Sequence, residues 1–344
     1  MFLHNVNVKI AYLAVVCSVI LGVFGHAINR FYPAEPEPDL HLIDMAMRKN
    51  IRNFAAIIKT GLYIKNFETF DVQNDKFIFD GMVWFEFNTD EVMQETIDKF
   101  SFVGGKILSK SPGDIRVTDK TMLIKYDVRV ETRGQLAYHR FPFDDHRLSL
   151  LVTNNYITPS EAYFTVDNSG FSTGEKVFAS NWMFRSARTI WGYTDLDLDS
   201  NDASKNVKRP VVAYTINFVK SGLRFIIIIF LPLFVVLLLS LFTLLITIDN
   251  EAARFRASMV ALTAMLSYRF VVDRMMPSVG YFTTTDVVYA IWFVFIFLVF
   301  VSQLAIGRMT AQAHGVRRAE KINTTVFFVV TTVCLFATSW FLLR

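Results

Sequence analysis

Long apolar runs lie toward the two ends of the chain, and the middle alternates apolar with polar positions. The runs Leu223–Ile248, Phe282–Ile306 and Thr324–Leu343 can each cross a hydrocarbon core of about 30 Å as a helix. We therefore predict three membrane spans in the last third of the chain.

A further apolar run, Lys9–Ile28, lies near the N-terminus. It contains Gly25-His26-Ala27, in which Gly25 and Ala27 are small residues of the kind found at a signal-peptidase cleavage site. The run is therefore either a cleaved signal peptide or an uncleaved anchor helix. Both alternatives place the residues that follow it outside the cytoplasm.

Between the first two C-terminal spans, Ala252–Arg274 has helical composition but carries charged residues. An ionisable side chain facing lipid at mid-bilayer costs about 2.5–3.5 kcal/mol, so Arg254 and Asp273 near the helix ends should snorkel to water. At helical spacing one face collects Arg256, Val260, Thr263, Ser267, Phe270, Val271 and Arg274. We predict that this helix lines water or packs inside a bundle; the alternative is an interfacial or loop segment.

The 249–256 connection and the 307–322 loop carry the basic residues Arg254, Arg256, Arg308, Arg317, Arg318 and Lys321. Basic loops favour the cytoplasmic side. The chain is therefore predicted to be integral to the cell (inner) membrane, with residues 31–220 in the periplasm or outside. The inner loop is too short for a cytoplasmic catalytic or output domain.

Residues 31–220 contain several short strand-like runs separated by turn signals, which predict an all-β sandwich. Strand composition occurs in Phe77–Phe87, Met122–Val130 and Arg209–Val219, turn composition in Asn66–Lys76 and Asp195–Lys208, and helical composition in Asp39–Asn53. The predicted order is a signal or anchor helix over 1–30, an extracytoplasmic sandwich of immunoglobulin type over 31–220, and a four-helix transmembrane domain over 221–344.

Composition excludes several classes of protein. The chain is 53% hydrophobic with a net charge of +4, and no basic stretch is interleaved with aromatics as a nucleic-acid surface requires. Cys17 and Cys334 both lie in apolar segments and predict neither a disulfide framework nor a zinc site. No nucleophile elbow, phosphate loop or metal-ligand cluster is visible, so we expect no enzyme, cofactor or metal.

Ordered motifs point to one family. Tyr138-His139-Arg140-Phe141-Pro142-Phe143-Asp144-Asp145-His146-Arg147-Leu148 resembles the aromatic-Pro-aromatic-Asp signature of the pentameric ligand-gated ion channels, or Cys-loop receptors. Lys59–Phe87, Asn181–Ser186, Leu231-Pro232 and Pro277–Thr283 are similar to other segments of that family, in the expected order. The resemblance covers about residues 45–343.

The chain also departs from the family pattern, and its lack of loop cysteines resembles the prokaryotic members. The two loop cysteines of the family would fall near Gly134 and Leu148 and are absent. A Trp-x-Pro motif is missing near Phe102–Gly105, and Lys220 stands where the family carries arginine.

The resemblance implies a subunit of a homopentameric membrane channel, surrounded by lipid and gated by a small molecule or by protons. Ligand binding between neighbouring β-sandwiches would open a pore lined by the seven residues of the polar face, Arg256 to Arg274. Rings of Arg254 or Arg256 would favour anions, and rings of Glu251 or Asp273 would favour cations. The sign of the selectivity stays open. The alternative function is a non-conducting receptor or scaffold of the same fold.

The resemblance also implies positions for coupling and for ligand binding. Coupling between the sandwich and the pore would use Asp71, Asp75, Phe141, Pro142, Asp144, Lys220 and Pro277, unless the charged members are ordinary surface ion pairs. Ligand-binding candidates are Phe102, Asn155, Tyr156, Trp182 and Tyr193, beside the acidic residues Asp195, Asp197 and Asp199; each aromatic could equally belong to the core or rim. His139 and His146 flank the coupling loop and could titrate near pH ~6.5.

Overall fold

The computed structural model describes residues 6–29, 35–43, 55–167, 169–174, 182–197, 202, 205–220, 223–310 and 316–344. The chain divides into two compact units. The helical unit comprises Met1–Phe31, Tyr138–Asp144 and Gly222–Arg344, and the sheet unit comprises Tyr32–Ala137 and Asp145–Ser221. Tyr138–Asp144, a short segment inside the predicted sandwich sequence, thus groups with the helices.

The sheet unit contains a five-stranded and a seven-stranded sheet. Its elements are β1 (His41–Leu42), β2 (Ala56–Asp71), β3 (Lys76–Asn88), α2 (Gln94–Ile97), β4 (Phe100–Phe102), β5 (Gly105–Lys110), β6 (Asp114–Thr118), β7 (Thr121–Thr132), β8 (His146–Asn154), β9 (Ala162–Thr165), β10 (Phe171–Thr173), β11 (Trp182–Leu196) and β12 (Val207–Lys220). The strand orders are β1-β11-β12-β8-β4 and β10-β2-β3-β7-β5, and β6 pairs with β7 while β9 pairs with β2.

The two sheets share one aromatic core. Side chains along β3 alternate between buried and partly exposed, so that Phe79 and Phe85 point inward. Phe79 packs edge-on against Phe102 of the other sheet at 5.8 Å between ring centroids, and Phe85 lies 5.1 Å from Phe100. Such aromatic pairs stabilise a core beyond the area that they bury. The predicted strands Phe77–Phe87, Met122–Val130 and Arg209–Val219 are confirmed as the centres of β3, β7 and β12.

Two predictions for this unit need correction. Asn66–Lys76 was expected to be a turn, but β2 continues to Asp71 because its backbone pairs with β3 as far as Asp71↔Lys76. Two register shifts in β2, between Ile64 and Asn66 and between Phe67 and Thr69, interrupt the regular pairing within this polar stretch without ending the strand. Within the predicted helix Asp39–Asn53, His41–Leu42 instead form β1, paired with β11; residues 44–53 lie outside the described part.

The helical unit has five long helices in the described ranges, each long and apolar enough to cross a membrane. They are α1 (Val6–Asn29), α3 (Arg224–Phe242), α4 (Glu251–Met275), α5 (Thr284–Thr310) and α6 (Val316–Leu343). The first predicted span therefore ends earlier than Ile248, and the last begins earlier than Thr324. The amides of Thr243 and Leu244 bond to carbonyls three residues back, which tightens and ends α3.

Four of the five long helices, α3–α6, fall within the range 221–344, and the fifth, α1, lies near the N-terminus. The N-terminal helix α1 packs along α6, and the hydroxyls of Tyr12 and Thr332 lie 2.7 Å apart. From the sequence alone this segment could not be assigned to the same unit as α3–α6, because a signal peptide and a packed helix share the same hydrophobic composition.

Candidate functional site

Helix α4 buries one face against its neighbours and exposes the other. The Asn250 side chain accepts a hydrogen bond from the Ala253 amide and so caps the helix start. The buried side chains are Arg254, Ser258, Ala261, Met265 and Val272. The exposed side chains include all seven of the predicted polar face, Arg256, Val260, Thr263, Ser267, Phe270, Val271 and Arg274.

This exposed face mixes polar and large apolar groups. Val260 and Phe270 are 58% and 73% exposed, and the hydroxyl residues Thr263 and Ser267 lie between them. No other element of the described chain covers the face. A helix long enough to span a membrane thus presents hydroxyl and charged groups on a side that its own chain leaves open.

The charged residues of α4 separate onto different sides. Glu251, Arg256 and Asp273 are exposed, whereas Arg254 is only 2% exposed. The structure therefore corrects the expectation that Arg254 snorkels to water, and it separates Arg254 from Arg256.

Arg254 is buried because α6 supplies a partner for it. Its Nη2 donates to Asn323 Oδ1 at 2.5 Å, and Asn323 Nδ2 donates to the Leu244 carbonyl at 2.9 Å. Nearby, Gln303 Nε2 donates to the Thr243 hydroxyl at 3.1 Å. Hydrogen bonding of this kind offsets the cost of burying a guanidinium. A cavity of about 310 Å³ between α4 and α5 is lined by Glu251, Arg254, Gln303 and Arg308 among others.

The start of α5 is capped by the segment Tyr138–Asp144. The first amides of a helix have no partner within the helix. Here the Thr284 amide donates to the His139 carbonyl at 2.9 Å, and the Thr285 amide donates to the Phe141 carbonyl at 3.1 Å. The Thr285 hydroxyl donates to the same Phe141 carbonyl at 2.9 Å. The backbone of the segment is therefore joined to the first turn of α5.

Aromatic contacts reinforce this connection. Tyr281 stacks on His139 with 4.0 Å between ring centroids, and its hydroxyl accepts the Tyr138 amide at 2.8 Å. Phe141 packs edge-on against Phe225 at 5.5 Å. Of the predicted coupling residues, Phe141, Pro142, Asp144 and Pro277 are all buried within the helical unit. The Phe141–Pro142 peptide bond is cis.

An ion pair links α5 to α4. Arg269 donates to Asp286 at 2.7 Å and to Asp273 of its own helix at 2.8 Å. Its guanidinium also lies 5.2 Å from the Tyr289 ring centroid. Asp286 in addition accepts the Thr283 amide at 2.8 Å.

Neither Arg269 nor Asp286 is among the site residues predicted from the sequence. A signal was present, because Thr283 followed three residues later by Asp286 has the spacing of a capping box. The partner of Asp286 across the helices could not be read from that spacing.

The acidic coupling candidates of the sheet unit make local turn contacts. Asp71 accepts hydrogen bonds from the Asn74 side chain at 2.7 Å and the Asn74 amide at 3.0 Å. The side-chain bond is the main cause that lowers the pKa of Asp71. Asp75 accepts the amides of Gly134 and Gln135 at 2.8 and 2.9 Å. Lys220 is the last residue of β12, and its side chain lies outside the described part.

The ligand-binding candidates do not form one cage within a single chain. Phe102 is buried in the aromatic core of the sheet unit. Trp182 and Tyr193 are both on β11, but Trp182 pairs with Lys220 and Tyr193 with Pro210. At about 3.3 Å per residue they lie about 36 Å apart along the strand.

Trp182 lies beside His146, at 5.5 Å between ring centroids. His146 is buried, and its Nδ1 lies 2.7 Å from the Glu35 carboxylate, which also accepts the Arg147 amide at 2.9 Å. His146, which the sequence places beside the coupling loop, is therefore enclosed in the sheet unit and not open to solvent. His139, the other predicted titrating residue, stacks on Tyr281.

Tyr193 has the surroundings of a surface aromatic site. Its ring stacks on His41 at 5.1 Å, and Lys208 Nζ lies 5.3 Å from its centroid. His41 Nε2 lies 3.5 Å from Asp195. Asn155 and the largely exposed Tyr156 follow the end of β8, whose residue Thr153 pairs with Val211, next to the Pro210 partner of Tyr193. Tyr156 and Tyr193 therefore belong to the same end of the sheet.

Among the residues that the structure describes, no group of three or more His, Cys, Asp or Glu side chains could hold a metal ion. Comparison of the chain with models of known protein families gives no match, and comparison with curated proteins gives none either.

Proposed function

We propose that the chain is one subunit of a homopentameric ligand-gated ion channel of the prokaryotic Cys-loop type. In this proposal the sheet unit is the extracytoplasmic β-sandwich of immunoglobulin type, and α3–α6 form the four-helix transmembrane domain. The observation that carries the proposal is the exposed face of α4. It agrees with the pore helix that the ordered family motifs in the sequence imply.

The physical argument concerns what covers that face. Facing lipid, Arg256 or another charged side chain would cost about 2.5–3.5 kcal/mol near the bilayer centre and less near the ends. A ring of identical subunits removes this cost by turning the face toward a shared water-filled axis. Thr263 and Ser267 would then contact water and ions, and rings of Val260 and Phe270 would close the pore by dewetting.

The same arrangement provides a route for gating. Tyr138–Asp144 follows β7 and precedes β8 in the chain, and it is bonded to the start of α5. Asp286 of that first turn is paired with Arg269 of α4. A displacement of the segment would therefore be passed through α5 to the helix that lines the pore.

The decisive experiment combines cysteine accessibility with current recording in planar bilayers. In a Cys17→Ser, Cys334→Ser background, we expect Thr263→Cys and Ser267→Cys to react with a charged, membrane-impermeant thiol reagent and lose current. The matched control is Ala261→Cys on the buried face of α4, which should neither react nor lose current. Equal reactivity of both faces, or reaction without any effect on current, would refute the pore assignment.

The reversal potential under a salt gradient then determines the ion preference. A shift toward the chloride potential that is abolished by Arg256→Gln assigns the selectivity ring to Arg256. A shift toward the cation potential that is abolished by Glu251→Gln or Asp273→Asn assigns it to that carboxylate. Absence of current from a pentamer at the cell surface would favour the non-conducting receptor instead.

A further inference from the structure

The N-terminal helix α1 packs against the rest of the helical unit through one continuous buried side. Its buried apolar residues are Leu13, Val16, Ile20 and Phe24, spaced three or four residues apart so that they share one side. Ile10 and Leu21 lie away from this side and are exposed. A segment that only had to direct export would need hydrophobicity but no particular packed face.

Polar contacts make the packing of α1 against α6 more specific than hydrophobic contacts alone would. The Tyr12 hydroxyl lies 2.7 Å from that of Thr332 on α6, and the Tyr12 ring packs edge-on against Phe328 at 5.0 Å. Lys9 is buried, and its ammonium lies 5.9 Å from the Phe327 centroid. Because lipid is as apolar as the helix surface, polar pairs and close packing are what hold helices together there.

The other end of α1 reaches the segment that caps α5. Phe24 lies 4.9 Å from Phe230 of α3 and 5.8 Å from Phe143, measured between ring centroids. Phe143 itself stacks on Phe230 at 5.5 Å with 13° between the ring planes. The three rings therefore form one cluster, to which α1, α3 and Tyr138–Asp144 each contribute one residue.

From these contacts we infer that α1 is retained in the mature protein as a fifth membrane helix and that Phe24 clamps the segment Tyr138–Asp144. Retention and the clamp do not depend on channel activity. If the proposed function is correct, they also make α1 an internal regulator of gating, because the clamped segment is the one that holds the start of α5.

The intact mass of the purified full chain tests retention. We expect a mass that includes α1. A mass corresponding to cleavage after Ala27 would overturn the inference and identify the segment as a signal peptide.

Crosslinking tests the docked position. In the Cys17→Ser, Cys334→Ser background, Tyr12→Cys with Thr332→Cys should be joined by a short bismaleimide reagent. The matched control is Ile10→Cys with Thr332→Cys, since Ile10 lies about 160° around the helix from Tyr12. Equal crosslinking of the two pairs, or none of the first pair, would show that α1 does not dock as described.

Hydrogen exchange of the full chain in lipid nanodiscs tests the clamp. Loss of the Phe24 ring should accelerate amide exchange in Tyr138–Asp144 by about 2- to 10-fold, the factor expected for an aromatic contact. Phe24→Ala should show this effect, Phe24→Leu should show less, and Leu21→Ala should show none. Identical exchange in all variants would exclude the clamp, and these measurements stay decisive even if the protein carries no current.

Discussion

Arg269 of α4 holds two carboxylates at nearly equal distances, Asp286 of α5 at 2.7 Å and Asp273 of its own helix at 2.8 Å. The two partners differ in environment, because the side chain of Asp286 is 9% exposed and that of Asp273 is 47% exposed. One contact therefore connects two helices inside the unit, and the other runs along the surface of one helix.

This difference predicts unequal effects of two similar substitutions. Asp286→Asn removes a mostly buried charge partner and disturbs the cap at Thr283, so we expect it to lower the free energy of unfolding by about 1–3 kcal/mol. Asp273→Asn removes an exposed pair one helical turn away and should cost about 0.3–0.5 kcal/mol. Denaturant unfolding in detergent, followed by tryptophan fluorescence, measures both. Equal losses would show that the interhelical contact has no special role.

The capping of α5 by Phe141 leads to a second prediction. Thr285→Val keeps the branched shape of the side chain but removes the hydroxyl that donates to the Phe141 carbonyl. We expect a loss of about 1 kcal/mol in unfolding free energy, the usual contribution of one hydrogen bond. Thr325→Val is the matched control, because the exposed Thr325 hydroxyl bonds only to Lys321 of the same helix. A control that loses as much as Thr285→Val would contradict the assignment.

The buried pair of Arg254 and Asn323 should behave as a coupled unit. Asn323→Leu leaves the Arg254 guanidinium buried without its amide partner, which should cost about 3–5 kcal/mol. Arg254→Met removes the buried charge, so adding Asn323→Leu to it should cost less than Asn323→Leu alone. A double-mutant cycle of unfolding free energies should show a coupling of about 0.5–3 kcal/mol. Additive effects would mean that the two side chains do not support each other.

A pH-dependent prediction concerns the turn between β2 and β3. The Asn74 hydrogen bonds lower the pKa of Asp71 below its value of about 3.9 in an unfolded chain. The contribution of the ionised Asp71 carboxylate to the stability of the fold is therefore fully present above pH ~4. It is lost as the pH falls through the lower pKa of the folded state. The stability difference between the wild type and Asp71→Asn should be constant from about pH 5 to 7 and shrink below about pH 4. Melting temperatures across this range test it, with the exposed Asp114→Asn as control; a difference that grows in acid would contradict it.

Local patterns were sufficient where one face of an element is buried and the other is not. The alternation of Phe77–Phe87 predicted β3, since successive side chains of a strand point to opposite faces. The helical spacing from Arg256 to Arg274 predicted that these residues share one face of α4, and the structure showed that the chain leaves this face uncovered. Turn composition was less reliable at Asn66–Lys76, where pairing with β3 extended β2 through polar residues.

The partners of particular side chains depended on residues far away in the sequence. Arg254 and Arg256 lie on different sides of α4 by their spacing, but Asn323 of α6 decides that Arg254 is buried. Trp182 and Tyr193 belong to one aromatic-rich strand, yet its extended backbone carries them to opposite ends. The link from Asp286 to Arg269 likewise required α4 and α5 to be placed side by side.

The sequence by itself determined the strand-rich middle, the membrane-length helices and the set of residues that share the polar face of α4, because these depend on periodicities within one element. Only the tertiary structure decided that α1 packs along α6, that Tyr138–Asp144 caps α5, and which charged groups are buried. Those outcomes depend on distant residues meeting in space, where shape and hydrogen-bond partners select among arrangements that hydrophobicity alone leaves equivalent.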